Sequence, residues 1–256
     1  MSYTIVHKAD EKSRFVANEI KKRIIEQYDS ENPEIIITVG GDGTFLKALH
    51  RYEKIQDKVT FFIVNTGHLG YFSSFTDKTI DQLVNCINTR NFKTGEYTLL
   101  EYKIINDKEV ITGTALNEVT IINPTRTLML DVFMDRELLE HFRGTGICIS
   151  TPAGSTAYNK SLGGAVVDAS LEAFQVTEIA PINSKIYHTI SSPLVLSKKH
   201  EVEFKAEGKS AIWVTVDSKS LNIENFKSLI VTLSDKKIKC CKNDESFVHR
   251  LVKNFI

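Results

Sequence analysis

The stretch EIIITVGGDGTFLKALH, residues 34–50, decides how the N-terminal part of the chain folds. Ile35 to Val39 make an apolar run that stops at Gly40, Gly41, Asp42, Gly43 and Thr44. Helical spacing then begins with Phe45, Leu46, Ala48 and Leu49, which predicts a helix over residues 44–52. A buried strand that opens through glycines into a helix presents backbone N–H groups and the positive end of a helix dipole to an anion. Gly40, Gly41, Gly43 and Thr44 therefore read as a phosphate-facing loop. No Gly-Lys-Ser/Thr follows, so the lysine of a P-loop is missing. Asp42 stands there instead, and a carboxylate beside a phosphate repels it unless it binds a metal or takes a proton from a hydroxyl nucleophile. An Asp-Gly pair alone is explained by a tight turn; between a strand and a helix, the nucleotide reading is the stronger one.

Outward from this stretch the pattern alternates. YTIVH (residues 3–7) and VTFFIVNTG (59–67) read as buried strands. Residues 10–28 carry a helical stripe at Phe15, Val16, Ile20, Ile24 and Ile25. DKTIDQLVNCINTR opens with an Asp at an N-cap position and repeats apolar residues at Ile80, Leu83, Val84 and Ile87. Strand and helix in alternation predict a parallel sheet covered by helices. After about residue 92 the chain reads as strand after strand, ELLEHFRGTGICIS and SAIWVTVDS among them. The last stretch, ESFVHRLVKNFI, is helical again, with apolar residues at Phe247, Val248, Leu251, Val252 and Phe255. The expected division is an α/β domain over 1–97 plus about 245–256, onto which the terminal helix docks back, and a mostly β domain over 98–244.

Composition narrows the partners. Lys plus Arg and Asp plus Glu both number 32 in 256 residues, so no field of one sign draws the chain to nucleic acid or an anionic membrane. Cys86, Cys148, Cys240 and Cys241 form no CxxC pair and no metal-ligand cluster, so no protein-held metal is expected. Scattered thiols, no basic-then-apolar leader and no membrane-length apolar run point to the cytoplasm.

Three further stretches carry chemistry. NTGHLGYF (65–72) follows a parallel-type strand, where open α/β sheets bind ligands. Gly67 and Gly70 allow a close-folded loop, and Leu69, Tyr71 and Phe72 either wall a pocket for a flat ring or pack in the core. His68 reads as a loop residue. In LNEV (116–119), Asn117 and Glu118 interrupt an apolar run and need partners; on a continuous strand they would face opposite ways. They read either as a polar step at a strand edge or as readers of sugar hydroxyls and base edges. FRGTGICISTPAGSTAYNKSLGGA (142–165) gathers Ser150, Thr151, Ser155, Thr156, Tyr158, Asn159 and Ser161 among glycines. A loop of that length without function is uncommon in a compact domain, which favours ligand binding. Lys160 either adds positive charge for phosphates or is a solvated lysine.

GGDGT, NTGHLGY, LNE and STPAGSTAYNKSLGGA, in that order across almost the whole chain, resemble the NAD kinase family, in its compact Gram-positive bacterial form. GGDGT alone is shared with diacylglycerol and sphingosine kinases; TPAGSTAYN after LNE is far more specific. The resemblance implies a Rossmann-like α/β domain, a β-sheet domain and NAD in the cleft between them. It implies phosphorylation of the 2'-hydroxyl of the adenosine ribose of NAD to form NADP. ATP, or inorganic polyphosphate, would be the donor, with a divalent cation such as magnesium on its phosphates. A homodimer or homotetramer is implied as well. Asp42 would be the base, with Gly43 beside it, and Asn117 and Glu118 would hold the dinucleotide. Thr156, Ala157, Tyr158 and Ser161, flanked by Asn159 and Lys160, would bind the adenosine side, with Ala180 nearby. Arg143 and Thr145 would complete a site, in part from a neighbouring subunit. Thr145 is a departure, because the family carries Asp there, and a charged contact is lost.

Overall fold

The computed structural model describes residues 1–67, 70–206, 212–242 and 247–256. The chain divides into two compact units: Met1–Tyr97 with Ile238–Ile256, and Thr98–Lys237.

The first unit is built on a parallel sheet in the order Gln27–Tyr28, Ser2–His7, Ile35–Gly40, Thr60–Asn65. Phe75–Thr76 pairs with Thr60–Asn65, in register Val64↔Phe75. On the same strand Thr60 and Phe61 pair with Lys239 and Cys240, so the chain rejoins this unit on a strand, ahead of the terminal helix. Every residue of Ile35–Gly40 is buried, as both faces of a covered parallel sheet require. One layer of core joins Val16, Ala17 and Ile20 of the helix Glu11–Arg23 to Leu83, Val84 and Ile87 of the helix Ile80–Thr89.

The first helix is shorter than its sequence stripe. Asp10 caps it, accepting from Ser13 N–H at 2.8 Å. It stops at Arg23; Ile24 is extended and Gln27–Tyr28 turns into an edge strand. Phe15 and Ile25 fall outside the buried face, 67% and 78% exposed. The third helix begins at Ile80 with Thr79 at the N-cap, not with the earlier Asp77. The terminal helix, Phe247–Phe255, has no fully buried residue, and Val248, Val252 and Phe255 are exposed.

The second unit is antiparallel. One sheet runs Glu137–Gly144, Leu128–Met134, Glu201–Ala206, Phe226–Lys242, and Lys93–Asn106 joins the last of these to Val110–Ala115. The other runs Leu194–Ser197, Ala173–Ile179, Gly146–Ser150, Glu118–Ile122, Ile212–Val216, Lys219–Ile223. Their inner faces share a core that includes Leu130, Phe142, Ile147, Phe174, Phe204 and Val214. ELLEHFRGTGICIS is therefore two strands in two sheets, broken at Thr145, and residues 142–165 are not one long loop. Only the part after Ser150 leaves the sheet, as a 3₁₀ turn Ala153–Thr156 and a single helical turn Tyr158–Ser161.

Candidate active site

The helix after Ile35–Gly40 begins at Asp42, two residues earlier than its apolar spacing suggests, with Gly41 as the N-cap. GGDGT is thus a strand end and the first helical turn rather than a loop. Thr44 N–H closes that turn on Gly41 O at 2.9 Å. The Thr44 side chain folds back over Gly40, where any Cβ would collide with its Oγ1. Gly43 is exposed and nothing crowds it.

Parallel register sets Gly40 beside Asn65, so the chain leaving each strand emerges at the same sheet edge. This is where ligands of open α/β sheets sit. The loop after Asn65 folds onto Asp42. Tyr71 N–H donates to its carboxylate at 2.8 Å and Phe72 N–H at 3.4 Å. Gly70 makes this possible: a Cβ there would stand 2.5 Å from Asp42 Oδ1. Asp42 is half-buried. Burial pushes its pKa above the ordinary carboxylate value, and the two amide bonds oppose that shift without cancelling it. Such a carboxylate is oriented, partly dehydrated and still able to take a proton.

Tyr71 and Phe72 are buried, and Phe72 packs on Phe45 and Tyr97 with ring centroids 5.3 and 5.4 Å away. Phe72 is thus a core aromatic, and what it offers Asp42 is its backbone. His68 and Leu69 lie outside the described residues.

In the second unit, Glu118 opens the strand Glu118–Ile122 and Asn117 precedes it, so both side chains avoid the strand's alternation. Both residues are 8% exposed, and Asn117 Oδ1 and Glu118 Oε2 have no hydrogen-bond partner among the described residues. Two adjacent unsatisfied buried polar atoms cost free energy unless something supplied from outside bonds them. The backbone here is held from two sides. The Asp217 carboxylate accepts from the N–H groups of Leu116, Asn117 and Glu118 at 3.1, 2.7 and 3.3 Å. Thr151 donates its hydroxyl to Leu116 O at 2.6 Å and its N–H to Asn117 O at 2.9 Å. Gly154 lies so close to the Asn117 backbone that no side chain fits between them. Burial first, then the Asp217 charge, raises the Glu118 pKa to about 8, and a bond from Tyr158 N–H opposes this.

Sequence reading missed Asp217. Its only sequence signal is Asp-Ser after an alternating strand, which reads as a turn; its left-handed backbone (φ 49°) is indeed one. The hydroxyl cluster also differs from expectation. Ser150, Ser155 and Thr156 donate to the backbone of their own turn, at Thr151 O, Pro152 O and Ala153 O. Asn159 is buried, accepting from Thr177 Oγ1 at 2.7 Å. Tyr158, Lys160 and Ser161 are exposed, and Ala157 is half-buried.

Arg143, Thr145 and Ala180 form a separate group. Thr145 N–H bonds Ile179 O at 3.0 Å, Arg143 stacks on Tyr187 at 4.0 Å, and Ala180 holds a left-handed turn (φ 46°) that leaves no room for a side chain at Gly144. Gly146 pairs with Ile122 while Ser150 pairs with Glu118. Thr145, which precedes Gly146, therefore lies beyond the opposite end of that strand from Glu118, roughly 17 Å away at the usual rise per residue.

The first unit holds a carboxylate at the glycine-bounded start of a helix, at the carboxyl edge of a parallel sheet, and the second holds two buried polar oxygens without a partner among the described residues. The family model for the ATP-NAD kinase N-terminal domain matches residues 3–92, and that for the C-terminal domain matches 116–243. The NAD kinase of Enterococcus faecalis is 39% identical over 265 residues, covering 100% of this chain and 99% of that protein. The NAD kinase of Staphylococcus aureus strain JH9 is 42% identical over 247 residues, covering 93% and 91%. In fold the chain is similar to yeast NADH kinase, solved with NADH (TM-score 0.85, 21% identity, 98% of this chain and 86% of that one). It is similar also to an NAD kinase from Archaeoglobus fulgidus, solved with ATP (TM-score 0.79, 24% identity, 99% and 98%).

The chain belongs to the ATP-NAD kinase family. Its reaction is phosphorylation of the 2'-hydroxyl of the adenosine ribose of NAD by ATP, giving NADP.

Proposed function

We propose that Asp42 is the general base of this reaction, and that Asn117 and Glu118 bind the ribose hydroxyls of NAD. The observation that carries the reading is the Asp42 carboxylate, held by Tyr71 and Phe72 N–H and raised in pKa by burial at the start of a helix. A ribose hydroxyl is a poor nucleophile at neutral pH, and a positioned base contributes about 10²–10⁴ in rate. Asp42 takes the 2'-hydroxyl proton as the oxygen bonds to the γ-phosphorus of ATP; ADP leaves with the electrons of the broken bond. The first-turn backbone at Gly41, Gly43 and Thr44 faces the transferring phosphoryl group.

The neutral Glu118 carboxyl favoured at its raised pKa supplies a hydrogen-bond donor, and Asn117 Oδ1 an acceptor, toward the sugar. Tyr158, Lys160 and Ser161 present exposed groups to the adenosine side, over the turn that holds Thr156 and Ala157. Among the described residues no three His, Cys, Asp or Glu side chains gather as metal ligands. The divalent cation is read as arriving on the ATP phosphates, as part of that substrate. Arg143, Thr145 and Ala180, set away from Asn117 and Glu118, suit a second copy of the chain in a homodimer or homotetramer. No described helix is long and apolar enough to cross a membrane. The four free cysteines suit a reducing compartment, and we place the enzyme in the cytoplasm on that ground.

The test is NADP formation by purified protein with NAD, magnesium and either ATP or polyphosphate. Asp42→Asn should lower kcat by roughly 10²-fold or more and change NAD affinity by about tenfold or less, ~1.4 kcal/mol. Turnover within about threefold of wild type removes Asp42 as the base.

A further inference from the structure

We propose that Arg250, on the C-terminal helix, is a positioning residue for Asp42 and acts through Tyr71. The inference rests on reading Asp42 as the base. The helix Phe247–Phe255 belongs to the same unit as Asp42. Arg250 Nη1 donates to Tyr97 Oη at 2.9 Å, and its guanidinium carbon lies 5.6 Å from the Tyr71 ring centroid, within cation–π range. Phe72 meets Tyr97 and Tyr71 edge-on, each at 5.4 Å. Arg250 thus braces a wedge of three rings, Tyr71, Phe72 and Tyr97. Two of those residues supply the N–H groups that hold Asp42.

The wedge has little slack. Gly70, next to Tyr71, lies so close to Asp42 that a Cβ there would stand 2.5 Å from its Oδ1. Tyr71 carries both the ring that faces Arg250 and the N–H that bonds Asp42 at 2.8 Å, so a displacement of the residue changes that bond. Arg250 is half-buried, and its Nε has no hydrogen-bond partner among the described residues. Burial pushes the Tyr97 hydroxyl up to about 12, so it meets Arg250 as a neutral phenol. Among the described residues, the charged or titratable groups around the wedge include Arg250, Lys242 (5.9 Å from the Tyr97 centroid), Cys240, Tyr71 and Tyr97 itself. The shift of Asp42 itself comes from its burial and the two amides.

The experiment compares Arg250→Met, which keeps the length and loses the charge, with Arg250→Lys, Tyr97→Phe and Asp42→Asn. The readouts are kcat, both KM values and a ¹³C titration of the Asp42 carboxyl. In Arg250→Met the weakened amide bonds leave burial less opposed, so the Asp42 titration should move up by about 0.5–1 pH unit. kcat should fall roughly 5–10-fold with KM values within about twofold, the pattern of a change felt in the transition state. Arg250→Lys should recover part of the shift, and Tyr97→Phe should show a smaller shift of the same sign. A changed melting temperature with an unmoved Asp42 titration in Arg250→Met overturns the inference. If Arg250→Met does not fold, an unmoved titration in Tyr97→Phe overturns it. Full turnover in Asp42→Asn beside a moved titration refutes the base and leaves the positioning intact.

Discussion

Asp42 and Glu118 are both carboxylates removed from water, and the folded chain restrains one more than the other. Asp42 accepts two backbone N–H bonds, which restrain the upward pull of burial. Glu118 has one such bond, an unsatisfied Oε2 and the Asp217 charge beside it, and its pKa rises to about 8. The difference teaches how one residue type is suited to the two proposed roles near neutral pH: the restrained carboxylate to accepting a proton, and the unrestrained one to keeping its own and donating a hydrogen bond.

Asp42→Asn should show the largest effect, as a loss of kcat. Next comes Gly70→Ala, whose Cβ would stand 2.5 Å from Asp42 Oδ1 and 3.4 Å from Asn65 Nδ2. One of those groups must shift, and kcat should fall roughly 10–100-fold on the scale of a misplaced reacting group, with NAD affinity by calorimetry nearly unchanged. An active Gly70→Ala enzyme would show that the loop's grip on Asp42 is dispensable. Asn117→Ala should do the reverse, weakening NAD by about 1–3 kcal/mol through a lost buried hydrogen bond, with a smaller effect on kcat at saturation. Unchanged affinity would leave the orphaned oxygens without a ligand.

Glu118→Gln separates the two carboxylates by stability. A carboxyl whose folded pKa is raised binds its proton longer in the folded chain than in the unfolded one. Wild-type stability from this group is therefore full below its unfolded value of 4.5 and is lost as pH rises toward about 8. Gln never ionises, so the ligand-free variant should melt higher than wild type near pH 8 and level with it near pH 4 to 5, with an upper bound of about 5 kcal/mol. A difference of melting temperature that does not change with pH contradicts the raised pKa.

Much of this was legible in the sequence, for identifiable reasons. Ile35 to Val39, bounded by glycines, marks a strand covered on both faces, and Asp42 stands out because a carboxylate is out of place beside phosphate. Asn117 and Glu118 stand out because polar neighbours interrupt an apolar run. Other features depend on contacts far apart in the chain. Gly70 reads as a loop glycine until Asp42 is seen against it. Asp217 reads as a turn until its carboxylate is found under three amides some hundred residues away. The hydroxyls of Ser150, Ser155 and Thr156 looked free for ligand because composition does not show that short polar side chains bond their own backbone first. Phe15 and Ile25 extended the first helical stripe falsely: one points away from the core, and the other lies past the helix end.

The central claim is that Asp42 takes the proton, and the pH dependence of kcat in wild type and Asp42→Asn tests it most directly. Wild-type kcat should fall on the acid side with a midpoint above the ordinary aspartate value of 3.8, the direction in which burial moves Asp42. Asp42→Asn should retain only a low rate and lose that acid limb. An acid limb of the same midpoint in the variant would assign the proton to another group and contradict the account.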